Sequence, residues 1–229
     1  AERKSNKIPE LERGAKPRPI SKLGVIGGGT MGSGITIAAL NSGLPVTMVE
    51  RDQESLERGI ENVKKVYRRD VEKGRLSQEK ADKILSNYST STHLKDLSDK
   101  DMIIEAVFEE LEVKKSVFSQ LNDIAKEGAV LASNTSYLDI DKIASATDRV
   151  GDVIGLHFFS PANIMRLLEI VVPTNVKDDV VATGFQLAKI LKKVPVRAGN
   201  CDGFIGNRVL ENYAKAANYM MEDGTSPYD

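Results

Sequence analysis

A chain of 229 residues with 41% hydrophobic and 28% charged side chains is globular in composition, large enough for one sizeable core or two modest ones. Its net charge of −1 gives no basic field to attract nucleic acid or an anionic membrane, and no apolar run approaches the length of a membrane span. A single Cys rules out an intrachain disulfide framework, and two His argue against a His-rich metal site.

Residues 1–22, AERKSNKIPELERGAKPRPISK, hold three prolines and seven basic residues against three acids. They lack the apolar stretch of a secretory signal, and Pro9, Pro17 and Pro19 spoil an amphipathic transit helix. Residues 1–21 therefore read as a linker to something upstream, and the absence of an initiating Met reads the same way.

Residues 22–52, KLGVIGGGTMGSGITIAALNSGLPVTMVERD, organise the rest of the chain. An apolar run, Leu23 to Ile26, passes into Gly27-Gly28-Gly29-Thr30-Met31-Gly32; an amphipathic segment comes next, then a second apolar run ending at Glu50. This is G-x-G-x-x-G between strand and helix with an acid about twenty positions on, the pattern of a dinucleotide site. Gly27 permits the tight turn, Gly29 lets a pyrophosphate approach the backbone, and Gly32 lets the helix pack closely. Thr30 and Met31 open the helix, whose free N–H groups and positive dipole end face the phosphates. Glu50 would accept hydrogen bonds from the adenosine ribose and repel a 2′-phosphate, which favours NAD over NADP, with Arg51 pulling the other way.

Residues 53–73 read as a long charged helix and 77–85 as a shorter one capped by Ser77, an insertion with a solvated face. DMIIEAV at 101–107 is a buried parallel strand, 110–126 a helix, and 129–132 and 153–158 two further buried strands. The alternation predicts a Rossmann-type doubly wound α/β sheet, with ligands beyond the carboxyl ends of its strands. Glu109, Ser136 and His157 stand at those ends. Residues 167–172 are another β run, 178–192 a helix and 194–196 a last strand. A turn-rich junction at 199–204 then gives way to a helix at 205–221, so the expected division is a dinucleotide-binding domain over 22–200 and, over 201–229, the first helix of a truncated helical C-terminal domain.

His157 among aromatics reads most simply as a core residue, but Glu169 lies amid the apolar run LLEIVV and is costly to bury unpaired. If the two β runs are adjacent and antiparallel, the carboxylate meets the imidazole, fixes its tautomer and makes it a better base. A buried pair that merely ties two strands together fits the same spacing. Asn134, Ser136 and Asn207 read as cap or turn residues, Cys201 as a small turn residue, and His93 as an exposed residue of a Ser/Thr-rich loop.

In order and spacing, GGGTMGSGI, EAVFEELEVKKSVF, ASNTS, GLHFFSPA, MRLLEIV and GNCDGFIGNR resemble the L-3-hydroxyacyl-CoA dehydrogenase family over residues 22–229. EAVFEE and the Pro-containing start resemble the dehydrogenase part of peroxisomal bifunctional β-oxidation enzymes, which carry an enoyl-CoA hydratase domain upstream. The resemblance implies NAD-dependent oxidation of a (S)-3-hydroxyacyl-CoA to a 3-ketoacyl-CoA, with a peroxisomal address. It makes His157 the base for the substrate hydroxyl and Glu169 its orienting partner. Ser136 and Asn207 would hold the substrate oxygen and the nicotinamide region, while Glu109 and Lys114 would line the cofactor site. Ser160 departs from the Asn of FFNP in monofunctional relatives. Those relatives also continue with further helices, so the helix from Ile205 is expected to expose Val209, Tyr213 and Met220 for self-association or another cover. A dehydrogenase of a small free β-hydroxy acid, or a dinucleotide-binding module without turnover, are the competing readings.

Overall fold

The computed structural model describes residues 7–226 and 228, so the first six residues of the expected linker, with Pro227 and Asp229, lie outside the described residues. Among the described residues eight strands build one sheet: β1 (Leu23–Ile26), β2 (Val46–Val49), β3 (Tyr88–Ser91), β4 (Met102–Glu105), β5 (Val130–Ser133), β6 (Val153–Phe158), β7 (Leu167–Val172) and β8 (Val194–Gly199). Their order is β3-β2-β1-β4-β5-β6-β7-β8. The first six run parallel, β7 turns back antiparallel to β6, and β8 is parallel to β7. The strand order reverses across the sheet between β1 and β4, the switch point where such folds open a crevice.

The described helices are α1 (Pro9–Glu12), α2 (Thr30–Asn41), α3 (Gln53–Glu72), α4 (Gln78–Leu85), α5 (Leu111–Ile124), α6 (Ile140–Ala144), α7 (Asp178–Ile190) and α8 (Gly206–Glu222). Every residue of β1, β2, β4, β5 and β6 is buried, as expected of parallel strands covered on both faces. Successive residues feed opposite cores. Met102 and Ile104 join one with Leu23, Ile35 and Leu187, while Ile103 joins the other with Phe118, Leu121 and Ile140. α3 starts where Asp52 accepts from the Ser55 amide at 2.7 Å and buries Leu56, Val63 and Tyr67; Ser77 caps α4 as read.

Beside the short helix α6, which has no counterpart in the sequence reading, two segments depart from it. The Ser/Thr-rich stretch Tyr88–Ser91, read as loop, is the edge strand β3, paired in parallel with β2. An edge strand needs an apolar face on one side only, so its polarity hid it, although His93 just beyond is exposed as read. The expected linker is docked from Ile8 onward. Ile8 and Glu10 are buried, Glu10 accepts from both Arg197 Nε and Nη2, Arg13 pairs with Asp178, and Arg18 pairs with Asp152 and Asp179. Arg13 and Arg18 thus meet the two acids that open α7.

Candidate active site

The turn from β1 into α2 is built by what glycine lacks. Gly27 sits at φ +101°, where an added Cβ would lie 2.6 Å from the Ala106 carbonyl oxygen. A Cβ on Gly32 would fall 1.8 Å from the Gly27 carbonyl oxygen, so only glycine lets α2 close onto the turn. Gly29 differs: a Cβ there would meet nothing within 4 Å and would instead fill the open space above the loop. Gly29 is also the N-cap of α2 and supplies no side-chain cap, while Thr30 beside it is exposed and Met31 half-buried. Glu50, one residue past β2, accepts from the Gly28 amide through Oε1 at 2.6 Å and from the Arg51 amide through Oε2 at 3.1 Å. An open cradle, an uncapped helix N-terminus and a carboxylate at the end of the second strand fit a dinucleotide.

Beyond β4 and β5 the residues form a layered network. Lys114, on α5, has no exposed side-chain surface; its Nζ donates to Glu105 Oε1 at 2.6 Å and lies 3.4 Å from Glu109 Oε2. Glu105 also accepts from the Val107 amide and, through Oε2, from Ser133 Oγ, so the buried charges are paired and hydrogen-bonded. Glu109 Oε1 gathers Thr135 Oγ1, the Ser136 amide and the Tyr137 amide. Burial pushes the Glu109 carboxyl up, but these donors and the nearby Lys114 charge outweigh it and hold it below the usual carboxylate range. Glu109 is exposed just beyond the C-terminal end of β4. Lys114 lies beneath the site rather than on its wall, because Glu105, at the buried end of β4, needs a cation.

β6 and β7 are antiparallel neighbours with His157 directly opposite Glu169. His157 Nδ1 and Glu169 Oε2 are 2.7 Å apart, with 4% and 1% of the two residues exposed. Glu169 Oε1 accepts from the Gly206 amide at 2.7 Å, at the start of α8, where the helix dipole favours a carboxylate. Phe159 and Phe204 flank the imidazole, with ring centroids 4.4 and 5.6 Å from it. With Glu169 ionised, the proton resides on Nδ1 and Nε2 is the basic nitrogen; it has no hydrogen-bond partner among the described residues.

Asn207 Nδ2 donates to the Ser136 carbonyl at 3.2 Å, joining α8 to the turn after β5. Ser136, Asn207, Glu109, His157 and Glu169 are thereby linked at the C-terminal ends of β4 to β6. Asn134 is a brace: its Oδ1 accepts from the Phe158 amide at 3.0 Å. Cys201 is an exposed turn residue, as read. Ser160, the departure in the motif, is exposed and precedes a cis peptide bond to Pro161. Glu105 and Phe204 escaped the sequence reading; a lone acid inside MIIE was the one available signal for the first. A groove of about 1090 Å³ lies elsewhere, lined by Leu11, Phe185, Lys189 and Pro195 among others and by none of these residues.

A family model described as 3-hydroxyacyl-CoA dehydrogenase, NAD binding domain, matches residues 22–201. The chain is 42% identical over 217 residues to a peroxisomal bifunctional enzyme of Cavia porcellus, covering 94% of this chain and 30% of that protein. It is 41% identical over 229 residues to a peroxisomal fatty acid beta-oxidation multifunctional protein of Arabidopsis thaliana, covering 100% of this chain and 32% of that one. The chain thus spans about a third of the length of these curated relatives. Among solved structures, a (S)-3-hydroxybutyryl-CoA dehydrogenase from Ralstonia eutropha superposes with a TM-score of 0.88 at 33% identity, over 92% of this chain and 75% of that one.

Proposed function

The chain belongs to the 3-hydroxyacyl-CoA dehydrogenase family, and from that premise we propose that it oxidises a (S)-3-hydroxyacyl-CoA to the 3-ketoacyl-CoA with His157 as general base. The observation that carries this reading is the direct pairing of His157 with Glu169, whose other oxygen is held by the Gly206 amide. Nε2 of His157 takes the proton of the substrate 3-hydroxyl. Glu169 keeps the ring in the right tautomer and stabilises the imidazolium that forms. Ser136, whose hydroxyl has no hydrogen-bond partner among the described residues, and Asn207 hold the substrate oxygen and the nicotinamide region. Glu109 fixes the Ser136 turn, and Lys114 supports it from below.

Gly27, Gly29, Thr30, Met31, Gly32 and Glu50 hold the cofactor in this reading. NAD, when bound, supplies the acceptor for the hydride that leaves substrate C3. Glu50 gives the preference for NAD over its phosphorylated form. Residues 22–200 are the NAD-binding unit, and residues 201–229 begin a helical region. The α8 face bearing Val209, Tyr213 and Met220, which are 66%, 75% and 54% exposed, is covered by a further protein surface, another copy of this chain included. The names of the curated relatives support a peroxisomal β-oxidation setting, and their being bifunctional or multifunctional chains of about three times this length is consistent with the enoyl-CoA hydratase unit that the family resemblance implies upstream. NADH formation decides the substrate class. Oxidation of (S)-3-hydroxybutyryl-CoA with little on free 3-hydroxybutyrate is expected, and activity on the free acid alone overturns the reading.

A further inference from the structure

The turn between β6 and β7 makes contacts that the base and its partner do not explain. It begins with Phe159, against the His157 ring, and continues through Ala162, whose Cβ lies 3.0 Å from the position of a Cβ built on Gly34 of α2. One short loop therefore touches both the imidazole and the helix of the dinucleotide site. Within it the Ile164 and Met165 amides both donate to the Pro161 carbonyl, which leaves the Ala162 and Met165 carbonyls turned to one side.

Those two carbonyls meet a single cation from a distant part of the chain. Lys193 is 9% exposed, and its Nζ donates to Ala162 O at 2.5 Å and to Met165 O at 2.6 Å. The backbone aims it there. α7 ends with Lys192 at φ +55°, the Lys193 amide donating to Ala188 O and the Lys192 amide to Lys189 O, the 6→1 and 5→2 bonds of a Schellman ending. The Val194 amide then donates to Arg166 O at 2.7 Å, which fastens the start of β8 to the far end of the same loop. Burying an ammonium against neutral carbonyls alone is costly, and desolvation pushes the Lys193 amine below its usual range. A Met or Leu would fill the same space without that cost, so the charge serves the loop.

We propose that Lys193 is a positioning residue for this site: its ammonium locks the β6–β7 turn so that Phe159 stays on the His157 ring and Ala162 on the dinucleotide helix. The inference rests on the reading of His157 as the base. Lys193 touches no reacting group itself and acts through the turn. What it fixes is the distance between the imidazole and the cofactor side, on which hydride and proton transfer both depend.

The test uses Lys193→Met and Lys193→Arg in the intact protein, with (S)-3-hydroxybutyryl-CoA and its 3-deuterated form. For Lys193→Met we expect kcat to fall about 10- to 100-fold, since small misplacements of reacting groups cost that much. The deuterium effect on kcat should rise as hydride transfer becomes limiting, and NADH affinity should change less than about twofold. Lys193→Arg, which retains charge and donors, should recover most of the rate. Unchanged kcat and isotope effect overturn the proposal. So does a rate loss that merely tracks the folded fraction with a wild-type isotope effect, which is what a purely structural strut gives. Should Lys193→Met fold poorly, Lys193→Gln carries the same comparison. If the wild-type protein forms no NADH from the thioester, the functional reading fails, and hydrogen exchange then judges the clamp separately. Exchange of the Ile164 and Met165 amides should rise about tenfold or more in Lys193→Met with α2 unchanged, and equal exchange there refutes the clamp.

Discussion

Among the described residues each oxygen of Glu169 has one partner, His157 Nδ1 on one side and the Gly206 amide on the other. Glu169→Gln preserves shape but removes the charge that stabilises an imidazolium, so kcat should fall about 100-fold or more while NADH affinity and Tm stay near wild type. A parallel collapse of Tm would make the pair a strand tie instead. Glu50 holds the Gly28 amide in the structure and stands where a ribose would be read. Glu50→Ala should therefore raise the Kd for NAD and narrow the preference over NADP; unchanged preference would hand that decision to Arg51. The His157–Glu169 contact was legible because an acid in LLEIVV demands a partner and a short loop offers an antiparallel one. Lys193 was not, since a Lys at a helix end reads as solvated and nothing local reveals two carbonyls 28 and 31 residues away.

At the scale of elements, the strand–turn–helix of β1 and α2 separates folding from binding. Gly32→Ala places a Cβ against the Gly27 carbonyl, so the helix must back away; overpacking of this kind costs about 1–3 kcal/mol or more, and a lower Tm with lost NAD binding is expected. Gly29→Ala meets no atom and should keep the wild-type Tm while weakening NAD by obstructing the cradle. Thermal melts and NADH fluorescence titrations check both, and a Gly29→Ala protein that binds normally would move the phosphates elsewhere. Continuous apolar runs made the buried strands readable, and the Gly pattern fixed the first turn. β3 was hidden because YSTS has no apolar run and gains its strand from pairing with β2. α6 has five residues and was too short for a helical period to show.

For the molecule as a whole, the docked N-terminal strap is tied to the sheet by carboxylates at the N-terminal ends of its central strands. Asp101 accepts from the Ser21 and Lys22 amides, Ser21 Oγ and Lys126, and neighbouring Asp99 pairs with Lys22 and Lys100. Burial pushes Asp101 up, but Lys126 and Ser21 win and hold it below the usual range; Lys100 and Lys22 bring Asp99 down to about 2. Carboxyls depressed on folding stabilise fully above the unfolded value near about 4 and lose that contribution as pH falls through the folded one. Tm should thus decline as pH drops from about 4 toward 2, less steeply in Asp101→Asn, and identical slopes would place the acid sensitivity elsewhere. The candidate site draws on the ends of β2, β4, β5 and β6, on β7, and on α2 and α8, so no single motif holds all of it. The most direct test is NADH formation from (S)-3-hydroxybutyryl-CoA by wild type and His157→Gln, with NADH binding measured on both. Turnover by wild type, a loss of about 10²–10⁴-fold or more in the variant, and equal NADH affinity are expected if His157 is the base. Normal turnover by His157→Gln would contradict that role.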